Sequence, residues 1–162
     1  MEILSGLRRA VRATTYGLSF AGMFALLPLM LLTSAEVVGR AAWSRPIPGA
    51  VELSSYLLAV FVLLGIGYTQ QVKGHVRVEM LTSRLPARGA AALQIFTTVL
   101  SLGIVGVLAW QGWVLGMEER AVSDMLRVPQ KPFRLLVAVA GAALFLELLL
   151  DLAEATARLV RR

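Results

Sequence analysis

The stretch Ala25-Leu26-Leu27-Pro28-Leu29-Met30-Leu31-Leu32 sets eight residues in a row without one polar side chain. A strand of a membrane barrel would alternate apolar and polar residues along this length. A helix that is apolar on every side is one that faces lipid or lies buried. The run is therefore read as part of a membrane-spanning helix. Pro28 inside it is expected to kink it, because proline has no N–H for the helical ladder.

Working outward, the same run continues without Asp, Glu, Lys or Arg from residue 13 to residue 35. Three further stretches behave alike: residues 53–72, 89–117 and the shorter 135–146. A spanning helix needs about 20 mostly apolar residues. The first three qualify outright. The fourth reaches that length if it runs from Pro132 to Leu150, with Arg134 snorkelling at one end and Glu147 one turn from the other. The expectation is an all-α integral membrane bundle forming one domain over 1–162, with spans at about 13–36, 52–72, 87–117 and 132–152. Short amphipathic surface segments are expected at its ends. In the N-terminal one, Ile3, Leu4, Leu7 and Val11 recur at helical spacing opposite Arg8, Arg9 and Arg12. Such a segment can rest on an anionic leaflet, or simply end the chain with orienting charges. The first apolar run exceeds the usual signal-peptide core of about 7–15 residues, so it is read as a retained helix.

Composition agrees. Hydrophobic residues make up 57% of the 162 residues and charged residues 16%, with a mean hydropathy of +0.73. A soluble domain is nearer 45–50% apolar and about 25% charged. A soluble enzyme and a disordered tail are excluded. Cysteine is absent and His75 is the single histidine, so a disulfide scaffold and a bis-histidine haem within one chain are excluded as well. The net charge of +6 does not point to nucleic acid, because the basic residues lie in short clusters between apolar runs. Ten of the sixteen Lys and Arg residues fall in the N-terminus, the second loop and the C-terminus, and six in the other two loops. The positive-inside rule then places both termini in the cytoplasm. Trp43, Trp110 and Trp113 fall near the opposite interface, where amphipathic rings settle.

Acids in membrane helices are costly and draw attention first. Glu36 ends span 1, Glu52 opens span 2 and Glu147 lies near the inner end of span 4. None is placed at a midplane, and Glu36 and Glu147 belong to opposite faces. End caps and ion pairs account for them more simply than a proton site does. Glu52 is expected to pair with Arg40 or Arg45 across the first loop, or with a partner protein. No nucleophile sits beside a base and no phosphate-binding glycine loop is present, so no enzyme activity and no cofactor are expected. Gly112-x-x-x-Gly116, with Gly65, Gly67, Gly103 and Gly106, suits close helix packing without naming the partner helix.

The most distinctive loop is Gly74-His75-Val76-Arg77-Val78-Glu79. With Pro48-Gly49-Ala50-Val51-Glu52 entering span 2 and Val128-Pro129-Gln130 opening span 4, it resembles the small permease subunit of the tripartite ATP-independent periplasmic (TRAP) transporters, the DctQ-type component. The resemblance covers roughly residues 14–155. The sequence departs from the pattern after Gln130, where Lys131-Pro132 stands in place of a more apolar pair. The resemblance implies a scaffold subunit in a bacterial inner membrane. Its partners would be lipid, a large multi-span permease subunit with an elevator motion, and a periplasmic substrate-binding protein. The assembly would use a sodium gradient to take up an organic acid such as a dicarboxylate or sugar acid. It also implies interface or structural roles for Arg40, Arg45, Glu52, Gly74, His75, Arg77, Glu79 and Pro129. The competing readings are the small subunit of another tripartite carboxylate system, a self-sufficient proton-coupled oligomeric exporter working through Glu36 or Glu147, and a membrane anchor for a redox enzyme.

Overall fold

The computed structural model describes residues 2–74 and 86–160. Five helices account for most of them: α1 (Glu2–Met23), α2 (Leu26–Trp43), α3 (Ala50–Gln71), α4 (Ala87–Glu118) and α5 (Lys131–Val160). They make four stretches long and apolar enough to cross a membrane, Arg8–Trp43, Ala50–Gln71, Gly89–Glu118 and Lys131–Ala157. Among the described residues there is no β-sheet, only one isolated bridge. The amphipathic N-terminal segment is the first half of α1, continuous in backbone with the apolar half that follows.

The first span is two helices because of Pro28. Its missing N–H leaves the Phe24 carbonyl without a helical donor, and its ring crowds that carbonyl. The break falls there. The Phe24 and Ala25 N–H groups turn back one residue early, to Ala21 O at 3.3 Å and Gly22 O at 3.0 Å. The regular pattern resumes at Leu29, bonded to Ala25 O at 3.2 Å.

The packing runs inside out relative to a soluble protein. Most buried positions are small or polar, Thr15, Ser19, Ala50, Ser123, Ala138, Ala140 and Glu147 among them, with Val11, Leu102 and Leu148 the larger apolar ones. Large apolar side chains such as Phe24, Leu31, Val51 and Phe96 point outward. Lipid solvates those groups as well as a protein core would, so contact between helices depends on close approach instead. The tightest case joins α4 to α5. A Cβ on Gly141 would lie 2.9 Å from Ala109 Cβ, one on Gly112 would lie 3.0 Å from Ala138 N, and one on Gly116 would lie 2.8 Å from Leu135 Cδ2. The Gly112-x-x-x-Gly116 motif therefore packs within the chain, on the next helix. Gly65 and Gly103 face open space.

Helices α1, α3 and α5 pack on one another, α4 packs on α5, and α2 packs mainly on α3. The ion pair between Arg8 and Glu154 puts the two ends of the chain together. That end is called the terminal end below, and the opposite one the hairpin end.

Candidate functional site

At the hairpin end, residues 119–130 form a compact turn over the start of α3. Ser123 N bonds Val128 O at 2.9 Å, Gln130 N bonds Ala121 O at 3.1 Å, and Val122 bridges Pro129. The Ser123 hydroxyl, buried inside, accepts the Val128 N–H at 3.0 Å. Pro129 costs this hairpin nothing, since the bonded donors are its neighbours. The tip reaches α3: Glu52 Oε2 accepts the Leu126 N–H at 2.8 Å. Leu126 seats on Gly49, where a Cβ would lie 2.7 Å from it. Gly49 also has φ 76°, a backbone conformation that demands glycine, and a Cβ there would displace the Leu126 side chain. Arg134 pairs with Glu119 at 2.5 Å and Phe133 stacks on Tyr56 with centroids 4.3 Å apart. Together these contacts clamp the hairpin and the first turns of α3 and α5 into one unit.

Glu52 thus finds a backbone donor 74 residues away, and its expected partners lie elsewhere. Arg40 pairs within its own helix, with Glu36 at 2.6 Å. Arg45 sits exposed in the turn after α2. Gly74 closes α3, its N–H bonded to Thr69 O at 2.8 Å. His75, Arg77 and Glu79 lie outside the described residues.

The terminal end holds a second polar cluster, built from three helices. Glu147 of α5 is 4% exposed and accepts the Thr15 hydroxyl of α1 at 2.9 Å. Gln70 of α3 donates to Asp151 Oδ2 at 2.7 Å. Arg8 pairs with Glu154. Gly67 makes the junction possible, since a Cβ there would lie 3.0 Å from Thr15 and 3.6 Å from Ala143. Of these residues, sequence reading singled out Glu147, Gly67 and the arginines, and missed Thr15, Gln70, Asp151 and Glu154. The missed signal is a spacing. Positions 8, 12 and 15 share one face of α1, and 154, 151 and 147 share one face of α5. In antiparallel helices the two sets run alongside each other in step, although Asp151 turns to Gln70 rather than to Arg12.

Both clusters hold helices in register. The acids singled out from the sequence are engaged by neighbours, Glu36 and Glu52 toward the hairpin end and Glu147 toward the terminal end. At the hairpin end, two motifs distant in sequence, Pro48-Gly49-Ala50-Val51-Glu52 and Val128-Pro129-Gln130, form one structural unit. The family described as tripartite ATP-independent periplasmic transporters, DctQ component, matches residues 29–158. The chain belongs to the DctQ family. No curated protein matches it. The DctQ match begins in α2, contains all of α3 and α4, and ends near the close of α5, leaving α1 outside. A DctQ chain is a component of a transport system in a membrane, and four apolar spans agree with that place.

Proposed function

We propose that this chain is the scaffold subunit of a TRAP transporter in a bacterial inner membrane. In this reading it braces a large multi-span permease subunit, whose elevator motion, driven by a sodium gradient, takes up an organic acid such as a dicarboxylate or sugar acid. A periplasmic binding protein delivers the substrate to the hairpin end, and both termini lie in the cytoplasm as the Lys and Arg distribution favours. The DctQ match carries the proposal. The packing supports it: α4 rests on α5 and leaves Phe96, Leu100, Ile104 and Val107 of its other faces uncovered, a surface available to a larger partner. The hairpin end supplies exposed charges of both signs, Asp124 and Arg127 among them, for complementary docking.

The test is to solubilise the membrane in mild detergent, retrieve the chain by a C-terminal tag and identify what accompanies it. A stoichiometric multi-span protein much larger than this 17.5 kDa chain is expected. Recovery of copies of the chain alone would refute the scaffold reading and turn attention to Glu36 and Glu147 as transport residues.

A further inference from the structure

The break at Phe24–Ala25 has an effect beyond the kink. On its terminal side α1 closes on α3, so near that a Cβ on Gly22 would lie 3.0 Å from Leu64 Cβ. On its other side α2 leans away, and a cleft of about 750 Å³ opens between α2 and α3. Its lining includes Leu29, Thr33, Glu36, Arg40, Ser54 and Leu58. We propose that this cleft binds one phospholipid with an ethanolamine headgroup.

Length is the first argument. From Leu29 to Arg40 the cleft follows α2 for about 16 Å, at about 1.5 Å per residue. One leaflet contributes about half of the roughly 30 Å hydrocarbon layer, or about 15 Å. The cleft is therefore about one leaflet long, and beyond it α1 and α3 close on each other at Gly22 and Leu64. A spanning helix of another protein would need a groove running the full thickness; an acyl chain needs only this half.

Wall chemistry is the second. The Thr33 hydroxyl donates to Leu29 O at 2.7 Å and the Ser55 hydroxyl to Val51 O at 2.9 Å. With those protons held by their own helices, the cleft offers mainly apolar surface along its length.

The third is the charge at the mouth. Glu36 and Arg40 pair there at 2.6 Å, with side chains 10% and 63% exposed, one turn before the exposed ring of Trp43. A tryptophan in that position marks the headgroup level. The pair uses one carboxylate oxygen and one of the five guanidinium N–H donors. Glu36 and Arg40 both line the cleft, so a ligand there can meet an acceptor and several donors at once. A phosphate accepts from Arg40 and a primary ammonium donates to Glu36. The pair is neutral, so a zwitterion satisfies it without residual charge. A glycerol headgroup lacks the cation, and a choline headgroup lacks an N–H to donate.

The test uses the full chain, retrieved from its membrane with its natural partners and examined by native mass spectrometry with lipid analysis. The wild type should carry a phosphatidylethanolamine. A cleft-filling variant, Thr33→Leu with Ser54→Leu, should lose it. Glu36→Gln keeps the shape and leaves Arg40 positive. In mixed vesicles it should move the bound ratio of phosphatidylethanolamine to phosphatidylglycerol by about tenfold toward the anionic lipid, the worth of one charge-assisted hydrogen bond. A photo-reactive residue at position 54 should attach to lipid. A chain without bound phospholipid, equal retention by the filled variant, an unmoved ratio in Glu36→Gln, or attachment at position 54 to a partner protein would each overturn the proposal.

Discussion

Replacing Gly141 with leucine should loosen α4 from the bundle, and the structure sets the size of the effect. A Cβ at Gly141 would lie 2.9 Å from Ala109 Cβ and 3.1 Å from Ala109 Cα. Non-bonded carbons rest about 3.5–4.0 Å apart, so α4 must retreat by roughly 0.6–1.1 Å even before the rest of the side chain is placed. A gap of about 0.5–1 Å forfeits a quarter to a half of each neighbouring contact. The contacts of Gly112 with Ala138 and of Gly116 with Leu135 lie on the same seam and move with it. Overpacking of this kind costs about 1–3 kcal/mol. Leucine also improves on glycine as a helix former by somewhat under about 1 kcal/mol, which would mask part of the loss. Gly103→Leu supplies the control. It makes the same chemical change in α4 where a Cβ meets nothing within 4 Å. Helix propensity and lipophilicity then cancel in the comparison, and the Gly141 variant should be less stable than the Gly103 variant by about 1–3 kcal/mol. Unfolding by sodium dodecyl sulfate in mixed micelles gives the measurement, followed by tryptophan emission. Trp110 and Trp113, two of the three tryptophans, ride on α4 itself. Equal midpoints for the two variants would refute the close α4–α5 seam.

Two further outcomes follow from the polar ends. Glu52→Ala removes the acceptor of the Leu126 N–H, so that amide should exchange with deuterium faster, while the Ser123 amide, held by Val128 O, serves as the internal reference. Uptake by the assembled transporter should fall with substrate preference unchanged, and a changed preference in an intact complex would contradict a scaffold role. Thr15→Val keeps shape but takes the hydroxyl from buried Glu147, at a cost of about 1–3 kcal/mol in the same micelle titration. Arg8→Met, which breaks a half-exposed ion pair, should cost less than about 1 kcal/mol. The reverse order would mean that Thr15 does not anchor the terminal end.

Much of the architecture was legible in the residues one after another. Apolar runs of spanning length can satisfy their backbone in a bilayer only as helices, so 25–32 and its three counterparts settled helix against barrel. The break near Phe24 was legible for the same local reason, since Pro28 acts on a carbonyl only four residues away. The pull of Lys and Arg toward one end is likewise a property of the chain in order. The partners were not legible. Glu52 looked toward Arg40 and Arg45 because they are near in sequence, yet its donor is Leu126, on a hairpin that the packing of α3 and α5 brings over the start of α3. Gly112-x-x-x-Gly116 announced close approach but not to what; Ala138 and Leu135 answer that, while Gly103, of the same residue type, touches nothing. Thr15 and Asp151 carried no signal alone, because Thr15 meets Glu147 only where α1 lies along α5, and Asp151 meets Gln70 only where α3 does. Local backbone chemistry acts over a few residues and is written in the sequence. The pairing of side chains across helices depends on register and crossing, and those were decided only when the helices met.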